Sequence, residues 1–190
     1  MDTYNELVKQ AIEGNRRSQS ELYDLLSPKM YAVCLWYAKN REEAADIMQE
    51  GFIKMFRSLQ QYKSTGSFEG WVRKIMVNTA IDTLKTSKKL FAYVTIEEIP
   101  EELEPESSTD YIIEKIGMKN LLEMVQNLPM VYRLVFNLYV FEGLKHKEIA
   151  RLLNISVGTS KSNLFYARKS LQKKINYVMD ADAKSATKSV

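Results

Sequence analysis

Apolar residues recur at intervals of three or four along most of the chain, the spacing expected of helices that bury one face. Pro28 falls inside the second such segment, where we expect a kink or two abutting helices. The fold is therefore predicted to be all-α. The predicted helices cover residues 2–13, 18–37, 41–59, 67–86, 111–127, 129–141, 145–153 and 157–178.

The segment 41–59 predicts the clearest helix of the first half, with one apolar and one polar face. On the polar face, Ile53 is an isoleucine among charged groups. A single exposed isoleucine is common, but one ringed by acidic groups could also be the apolar centre of a protein-binding patch. The expected buried face consists of Ala44, Ala45, Met48, Phe52, Met55 and Leu59. The opposite face is expected to expose Asp46, Gln49, Glu50, Ile53, Lys54 and Arg57.

The helix predicted over 67–86 has two apolar lines instead of one. Aromatic rings beside cations and amides can stack on unpaired bases, but a helix buried on two sides shows the same pattern, so both interpretations stand. The line suited to a core consists of Val77, Ala80, Ile81 and Leu84. The second line consists of Phe68, Trp71, Val72 and Ile75, and it is bordered by Lys74, Asn78, Asp82 and Lys85.

Residues 144–171 have the pattern of a helix-turn-helix. The apolar period stops at Asn154, which tolerates the left-handed conformation of a tight helix exit. Ser156 follows and can accept a hydrogen bond from the first free N–H groups of the next helix. The outer face of that second helix is predicted to carry Thr159, Ser162, Phe165, Tyr166 and Lys169, with Lys161 and Arg168 on its flank.

Positive charge is concentrated on this motif. Residues 142–174 hold eight Lys or Arg and two Glu, a net charge of +6, which attracts phosphates whatever the base sequence. The second helix of such a motif enters the major groove of DNA. A helical hairpin with a solvated basic face has the same pattern, so the residues alone leave both interpretations open.

Charge also divides the whole chain into three blocks. Residues 1–89 carry a net charge of +3, residues 90–110 carry seven acidic and no basic side chains, and residues 111–190 carry +7. The acidic block has no sustained apolar period and is predicted to be a flexible linker. Two small helical domains are therefore expected, over 1–89 and 111–178, with a disordered tail at 179–190.

Little in the sequence supports catalysis, a metal or a cofactor, and none of the three is expected. The chain has one histidine, one cysteine, no glycine-rich phosphate loop and no metal-ligand spacing. His146 lies between two lysines and is predicted to be a surface group, whereas Cys34 lies in an apolar run and is predicted to be a small buried side chain. No stretch is apolar enough to span a membrane and the first residues lack a signal-peptide pattern, so we expect no membrane insertion and a cytoplasmic location.

Both halves of the chain resemble the bacterial extracytoplasmic-function sigma factors, the smallest sigma-70-type initiation factors, over about residues 18–88 and 111–175. The polymerase-binding segment of that family, AEDIxQExFxK, is similar to AADIMQEGFIKMF at 44–56. Its promoter-melting segment, FxxWLxxIAxNxAIDxLR, is similar to SFEGWVRKIMVNTAIDTLK at 67–85. Its C-terminal motif is similar to LPMVYRLVFNLYVFEGLKHKEIARLLNISVGTSKSNLFYARKSL at 128–171.

The resemblance implies a factor that directs core RNA polymerase to specific promoters and helps to melt the −10 element, with the loop near 60–67 assisting the capture of a flipped base. It implies as partners the β′ coiled coil and β flap of core polymerase, promoter DNA and a cognate anti-sigma factor. The implied polymerase-binding residues are Asp46, Gln49, Glu50 and Ile53. The residues implied for −10 binding and melting are Phe68, Trp71, Lys74, Asn78, Asp82 and Lys85. The residues implied for −35 binding are Lys145, Lys147, Lys161, Ser162, Asn163, Phe165, Tyr166, Arg168 and Lys169.

Three positions of the second motif helix depart from the family pattern. Ser160 replaces the usual valine, Asn163 replaces the usual arginine, and Tyr166 lies where the family usually has the first arginine of an RAR triplet. The resemblance therefore does not give the promoter sequence. The alternative function is a two-domain helix-turn-helix transcriptional regulator that acts without obligatory binding to core polymerase. Such a protein needs neither an acidic polymerase-binding helix at 41–59 nor a melting helix at 67–86.

Overall fold

The computed structural model describes residues 3–86 and 117–187, and the linker predicted over 90–110 lies outside them. The described residues form helices joined by short turns, with no β-strand among them. The chain divides into two compact units, residues 1–86 and 87–190. The predicted all-α fold is confirmed.

The first unit contains four α-helices, two of which begin at an asparagine. The Oδ1 atom of Asn15 accepts hydrogen bonds from the backbone N–H groups of Arg17 and Ser18, and Oδ1 of Asn40 accepts one from Glu43. These bonds satisfy donors that the first turn of a helix leaves free, and so they fix where the helices start. The elements are α1 (Thr3–Ile12), α2 (Arg16–Tyr37), α3 (Arg41–Ser58), a short 3-10 helix (Leu59–Gln61) and α4 (Phe68–Thr86).

Pro28 lies inside α2 without dividing it, because the helix is continuous from Arg16 to Tyr37. The expected alternative of two abutting helices is therefore wrong. A proline removes one backbone donor and crowds the preceding turn, but Leu26 and Met30 on either side of it are buried in the core. The packing of these side chains outweighs the local cost of the proline.

Helices α2, α3 and α4 pack against one another, and α1 packs on α2. Cys34 is buried among them, as predicted, and burial raises the pKa of its thiol to about 12. The thiol is therefore protonated and unreactive at neutral pH. The largest fully buried side chains of this core are Leu22, Leu26, Met30, Tyr37, Ile47, Met55, Phe68, Met76, Ile81 and Leu84.

The buried face of α3 is rotated from the predicted one. Ile47 and Gly51 are buried, whereas Ala45 and Met48 are only partly covered. A Cβ atom built on Gly51 would lie 2.2 Å from Sδ of Met76 on α4. The glycine therefore allows the two helices to approach closely, and the face turns toward that contact.

The second unit places its helices around a separate core. The described part of the helix predicted over 111–127 begins at Met118, and residues 111–116 lie outside the described region. Side chains from the four helices in the described part of this unit form the core. The helices are α5 (Met118–Gln126), α6 (Met130–Val140), α7 (His146–Leu153) and α8 (Val157–Thr187). The core residues include Leu121, Val125, Leu134, Leu138, Ile149, Leu153, Leu164, Ala167 and Leu171.

Helix α8 is longer than predicted. It continues to Thr187, so the end expected near Val178 and the disorder expected for residues 179–187 are wrong. Residues 179–187 contain three alanines and neither glycine nor proline, and such a composition favours continuation of a helix.

The turn between α7 and α8 has the predicted geometry. Asn154 adopts the left-handed conformation with φ of 55° and ends α7. The Oγ atom of Ser156 accepts a hydrogen bond of 2.9 Å from the backbone N–H of Thr159. The left-handed conformation of Asn154 and the hydrogen bond accepted by Ser156, both predicted from the sequence, are confirmed.

Candidate nucleic-acid interface

An open cleft of about 450 Å³ lies between the loop after the 3-10 helix and the first two turns of α4. Polar and cationic groups form its walls together with the aromatic residues Tyr62 and Trp71. Of the residues predicted for −10 binding, Trp71 and Lys74 line this cleft. The other lining residues are Gln61, Tyr62, Lys63, Thr65, Gly66, Ser67 and Gly70.

The loop that forms one wall of the cleft is closed by Tyr62. Its hydroxyl donates a 2.6 Å hydrogen bond to the carbonyl oxygen of Gly66. Its ring lies 5.1 Å from the ring of Phe68 and 5.4 Å from that of Trp71, measured between centroids. Between Tyr62 and Gly66, Ser64 has a positive φ of 54°, so the backbone turns sharply within the loop.

The other wall is the start of α4, which Ser67 fixes. Its Oγ accepts a 3.1 Å hydrogen bond from the N–H of Gly70, in the manner of an N-cap. In the first turn of α4, an ion pair joins Glu69 to Lys29 of α2, with 2.5 Å between Oε2 and Nζ. These contacts hold Trp71 and Lys74 on the cleft side of a helix anchored to the core.

Phe68 is fully buried, so the expectation that it meets a base is wrong. Its ring stacks beneath Trp71, with 5.7 Å between centroids, and it supports the exposed ring from the core side. The second apolar line of this helix is thus divided: Phe68 and Val72 belong to the core, whereas Trp71 is half-exposed at the cleft. The core interpretation is confirmed for Phe68 and Val72, and base stacking stays a prediction for Trp71.

The remaining residues predicted for −10 binding lie further along α4 and do not line the cleft. Asn78 and Asp82 are exposed, and Lys85 is half-buried. A carboxylate oxygen of Asp82 lies 3.7 Å from Nζ of Lys54 on α3. These residues form a polar strip that extends from the cleft, and its acidic group, Asp82, is paired with Lys54.

The residues predicted to bind polymerase lie together on the outer face of α3. Asp46, Gln49 and Glu50 are exposed, and 45% of Ile53 is accessible to solvent. Glu50 lies 3.9 Å from Nζ of Lys54, a loose surface pair that contributes little to stability. This face therefore has an apolar centre ringed by acidic and amide groups, the composition expected of a protein-binding patch.

The helix-turn-helix exposes a basic surface on α7 and α8. Four of its lysines and Arg168 are exposed, and Phe165 is half-buried between them. The Nζ atom of Lys169 lies 5.9 Å from the centroid of the Phe165 ring, and Cζ of Arg168 lies 5.5 Å from that of Tyr139 on α6. The exposed lysines are Lys145, Lys147, Lys161 and Lys169.

The outer face predicted for α8 is wrong at Ser162, which is buried. Ser162 and Asn163 are 9% and 6% exposed, and the hydroxyl of Ser162 donates to the carbonyl oxygen of Thr159. Tyr166 is half-buried, with its ring stacked 6.0 Å from that of Tyr132 on α6. The exposed face of α8 is therefore centred nearer Lys161 and Lys169, because the side of Ser162 and Asn163 belongs to the packed interior.

His146 is not the surface group that the sequence predicted. Its ring stacks on Tyr139 at 4.9 Å, and its Nδ1 lies 3.0 Å from Oγ of Ser160, which is fully buried. Burial lowers the pKa of His146, and the positive charges of Lys161 and Arg168 lower it further. The unusual serine at position 160 was the signal for this contact, since a valine there could not bond the imidazole.

The described residues were also compared with the requirements of a metal site and of a membrane span. In the ranges 3–86 and 117–187, no three His, Cys, Asp or Glu side chains are grouped so that they could hold a metal ion. No helix within the described part of the chain combines the length and apolar content needed to cross a membrane.

The fold and these surfaces define a helical nucleic-acid-binding protein with a helix-turn-helix and a second, cleft-bearing unit. Residues 22–90 match the family model of sigma-70 region 2, and residues 118–171 match that of sigma-70 region 4. The chain is 32% identical over 139 residues to the RNA polymerase sigma factor SigV of Bacillus subtilis. This aligned region covers 73% of the chain and 80% of SigV. The chain belongs to the sigma-70 family of RNA polymerase sigma factors, in its extracytoplasmic-function (ECF) group.

Two further similarities accompany that match. The chain is 29% identical over 161 residues to the ECF RNA polymerase sigma factor SigE of Mycolicibacterium smegmatis, spanning 82% of this chain and 60% of that relative. Among solved structures, it is similar to the sigma factor RpoE of Bartonella quintana, crystallised with the anti-sigma factor NepR, with a TM-score of 0.48 and 18% identity over 81% of this chain and 94% of that one.

Proposed function

We propose that this sigma factor directs core RNA polymerase to its promoters by dividing recognition between its two units. The first unit captures an unpaired base of the −10 element in the cleft, and the second binds the −35 element through α8. The observation that carries the proposal is the cleft itself, where Trp71 and Lys74 stand on an anchored helix opposite a closed polar loop. An aromatic ring beside a cation suits an unpaired base and its phosphate.

Promoter melting in this scheme is driven by binding energy. Extruding a base costs a few kcal/mol, and stacking on an aromatic side chain returns about 1–3 kcal/mol per base. Trp71 supplies that stacking surface, while Lys63 and Lys74 at the cleft supply positive charge for the backbone. No bond is made or broken by the protein, so the chain acts as a binding factor and not as an enzyme.

The outer face of α3 and the basic face of α8 supply the remaining partners. We assign core polymerase to Asp46, Gln49, Glu50 and Ile53, because an exposed isoleucine ringed by acidic groups suits a basic helical partner. The exposed lysines of α7 and α8 are assigned to the phosphates of the −35 element. A polymerase partner places the chain in the cytoplasm, and we expect an anti-sigma factor to compete for the same exposed faces.

The test is transcription by purified core polymerase on a library of promoters, with and without the chain. The best promoter is then used twice, as duplex DNA and with its −10 element already unpaired. Trp71→Ala is expected to lower transcription from duplex by about tenfold and from unpaired DNA by less, because it removes a stacking surface worth about 1–3 kcal/mol. Lys74→Ala should act in the same direction, whereas Lys9→Ala, an exposed lysine of α1, serves as the matched control.

Polymerase binding is tested in the same system. Glu50→Lys should weaken core binding without altering the melting curve, since surface changes away from packing shift stability by within about 0.5 kcal/mol. Glu13→Lys reverses an exposed charge at the end of α1 and should bind core normally. Tight, sequence-selective promoter binding without core would favour a conventional regulator and would refute the proposal.

A further inference from the structure

Tyr62 connects the cleft loop to the core of the first unit. Its hydroxyl donates to the carbonyl oxygen of Gly66 at 2.6 Å, which ties the two ends of the five-residue segment 62–66 together. Its ring meanwhile contacts Phe68, a fully buried side chain, and Trp71, the half-exposed ring of the cleft. One residue thus touches the loop, the core and the proposed base-stacking surface.

The segment between these contacts is not held by regular structure. Residues 62–67 belong to no helix, and five of the six are exposed. Such a segment ordinarily samples many conformations, and ordering it on binding would reduce affinity. The bond from Tyr62 to Gly66 removes much of that freedom in advance, and the ring contacts fix the loop relative to α4.

We propose that Tyr62 is a positioning residue that preforms the cleft for an extruded base, by holding the 62–66 loop against α4 through its hydroxyl and its ring. The inference rests on the proposed function of the cleft. The hydroxyl of Tyr62 is bonded to the carbonyl oxygen of Gly66. Tyr62 would therefore affect base selectivity by holding the loop, without a bond from its hydroxyl to the base.

The test uses Tyr62→Phe, which keeps the ring against Phe68 and Trp71 and removes only the hydroxyl. With the holoenzyme, affinity is measured for a single-stranded −10 oligonucleotide and for the same strand with one abasic site at the captured position. The preference for base over abasic DNA should fall by about two- to tenfold, the range expected for one hydrogen bond. Affinity for the abasic strand should change little.

The matched control is Tyr31→Phe. The hydroxyl of Tyr31 donates to the backbone carbonyl of Arg41 at 3.5 Å, in the same unit but away from the cleft. This variant also loses one hydroxyl-to-carbonyl bond, and it should keep the wild-type preference for the base. Hydrogen exchange on the full-length free chain provides a second measurement, in which Tyr62→Phe should speed exchange at residues 63–67 and Tyr31→Phe should not.

The outcomes distinguish the positioning role of Tyr62 from base capture in the cleft. If the wild type prefers the base and Tyr62→Phe retains that preference, or weakens both strands equally, the positioning role is wrong while base capture stands. Unchanged exchange in the loop of Tyr62→Phe would likewise overturn the positioning role. If the wild-type holoenzyme binds base and abasic strands alike, base capture in this cleft is wrong, and the role of Tyr62 is refuted with it.

Discussion

At the scale of single residues, His146 makes stability depend on pH. It is the only histidine in the chain, and its pKa in the folded protein lies below the ordinary 6.5 because of burial and the charges of Lys161 and Arg168. The unfolded state therefore binds the proton more readily. We expect this contribution to be fully present above pH 6.5 and to be lost as the pH falls below that value toward the folded pKa.

Urea unfolding between pH 5 and pH 8 measures this effect. His146→Gln retains a group that can bond Ser160 but does not titrate, so its stability should fall less than that of the wild type below pH 6.5. The difference between the two proteins isolates the histidine from the carboxylates, which titrate in both. Parallel curves for the two proteins across this range would mean that folding does not lower the pKa of His146.

At the scale of helices, the crossing of α3 over α4 depends on a glycine. Met76 is fully buried, so its sulfur has no solvent to move into when a methyl group is added at Gly51. Overpacking of this kind costs about 1–3 kcal/mol, while alanine gains up to about 1 kcal/mol over glycine in a helix. We expect Gly51→Ala to lower the free energy of unfolding by about 1 kcal/mol, measured by urea denaturation.

Two comparisons sharpen that measurement. Gly66→Ala adds the same methyl group in open space, with no atom within 4 Å, and should change stability by less than about 0.5 kcal/mol. Met76→Ala should cost less in the Gly51→Ala background than in the wild type, since it also removes the clash. An increase in stability for Gly51→Ala would show that α3 and α4 can separate without loss.

Helices were predictable from the sequence, but the rotation of their faces was not. The turn at Asn154 and Ser156 depends on local chemistry, so it was predicted residue by residue. The faces of α3 and α8 are bordered by small or polar residues such as Gly51, Ser162 and Asn163, which fit either side of a helix. Which side they occupy is decided by the neighbouring helix, and a periodic pattern contains no information about that neighbour.

The residues of the cleft were predictable only in part, because some of them are placed by local helix geometry and others by tertiary contacts. Trp71 and Lys74 lie on a helix, where spacing alone places them on one side. The role of Tyr62 requires its hydroxyl to reach Gly66 across a loop and its ring to reach Phe68, and these contacts arise only when the tertiary structure forms. The burial of Phe68 was missed because an aromatic residue beside cations fits a core as well as a binding surface.

At the scale of the whole molecule, the proposed surfaces for DNA are divided between two units. Residues 1–89 and 111–190 carry net charges of +3 and +7, separated by the −7 of residues 90–110. A basic surface alone attracts phosphates without regard to sequence, with dissociation constants of about 10⁻⁴–10⁻⁶ M. Two weak sites act together only when both are engaged at once, and we expect core polymerase to provide that condition.

We therefore predict that the free chain binds duplex promoters weakly and almost without regard to sequence, with an affinity that falls steeply as salt rises. Lys161→Ala should reduce the slope of log affinity against log salt by about one phosphate contact, equally on matched and scrambled −35 sequences. Lys119→Ala, an exposed lysine of α5 in the same unit, controls for the loss of charge and should change the slope less. Fluorescence anisotropy across a salt series measures both slopes. Strong preference of the free chain for one −35 sequence would contradict the predicted weak, sequence-independent binding. A preference that Lys161→Ala alters would place Lys161 at a base edge and would contradict the assignment of this lysine to a phosphate.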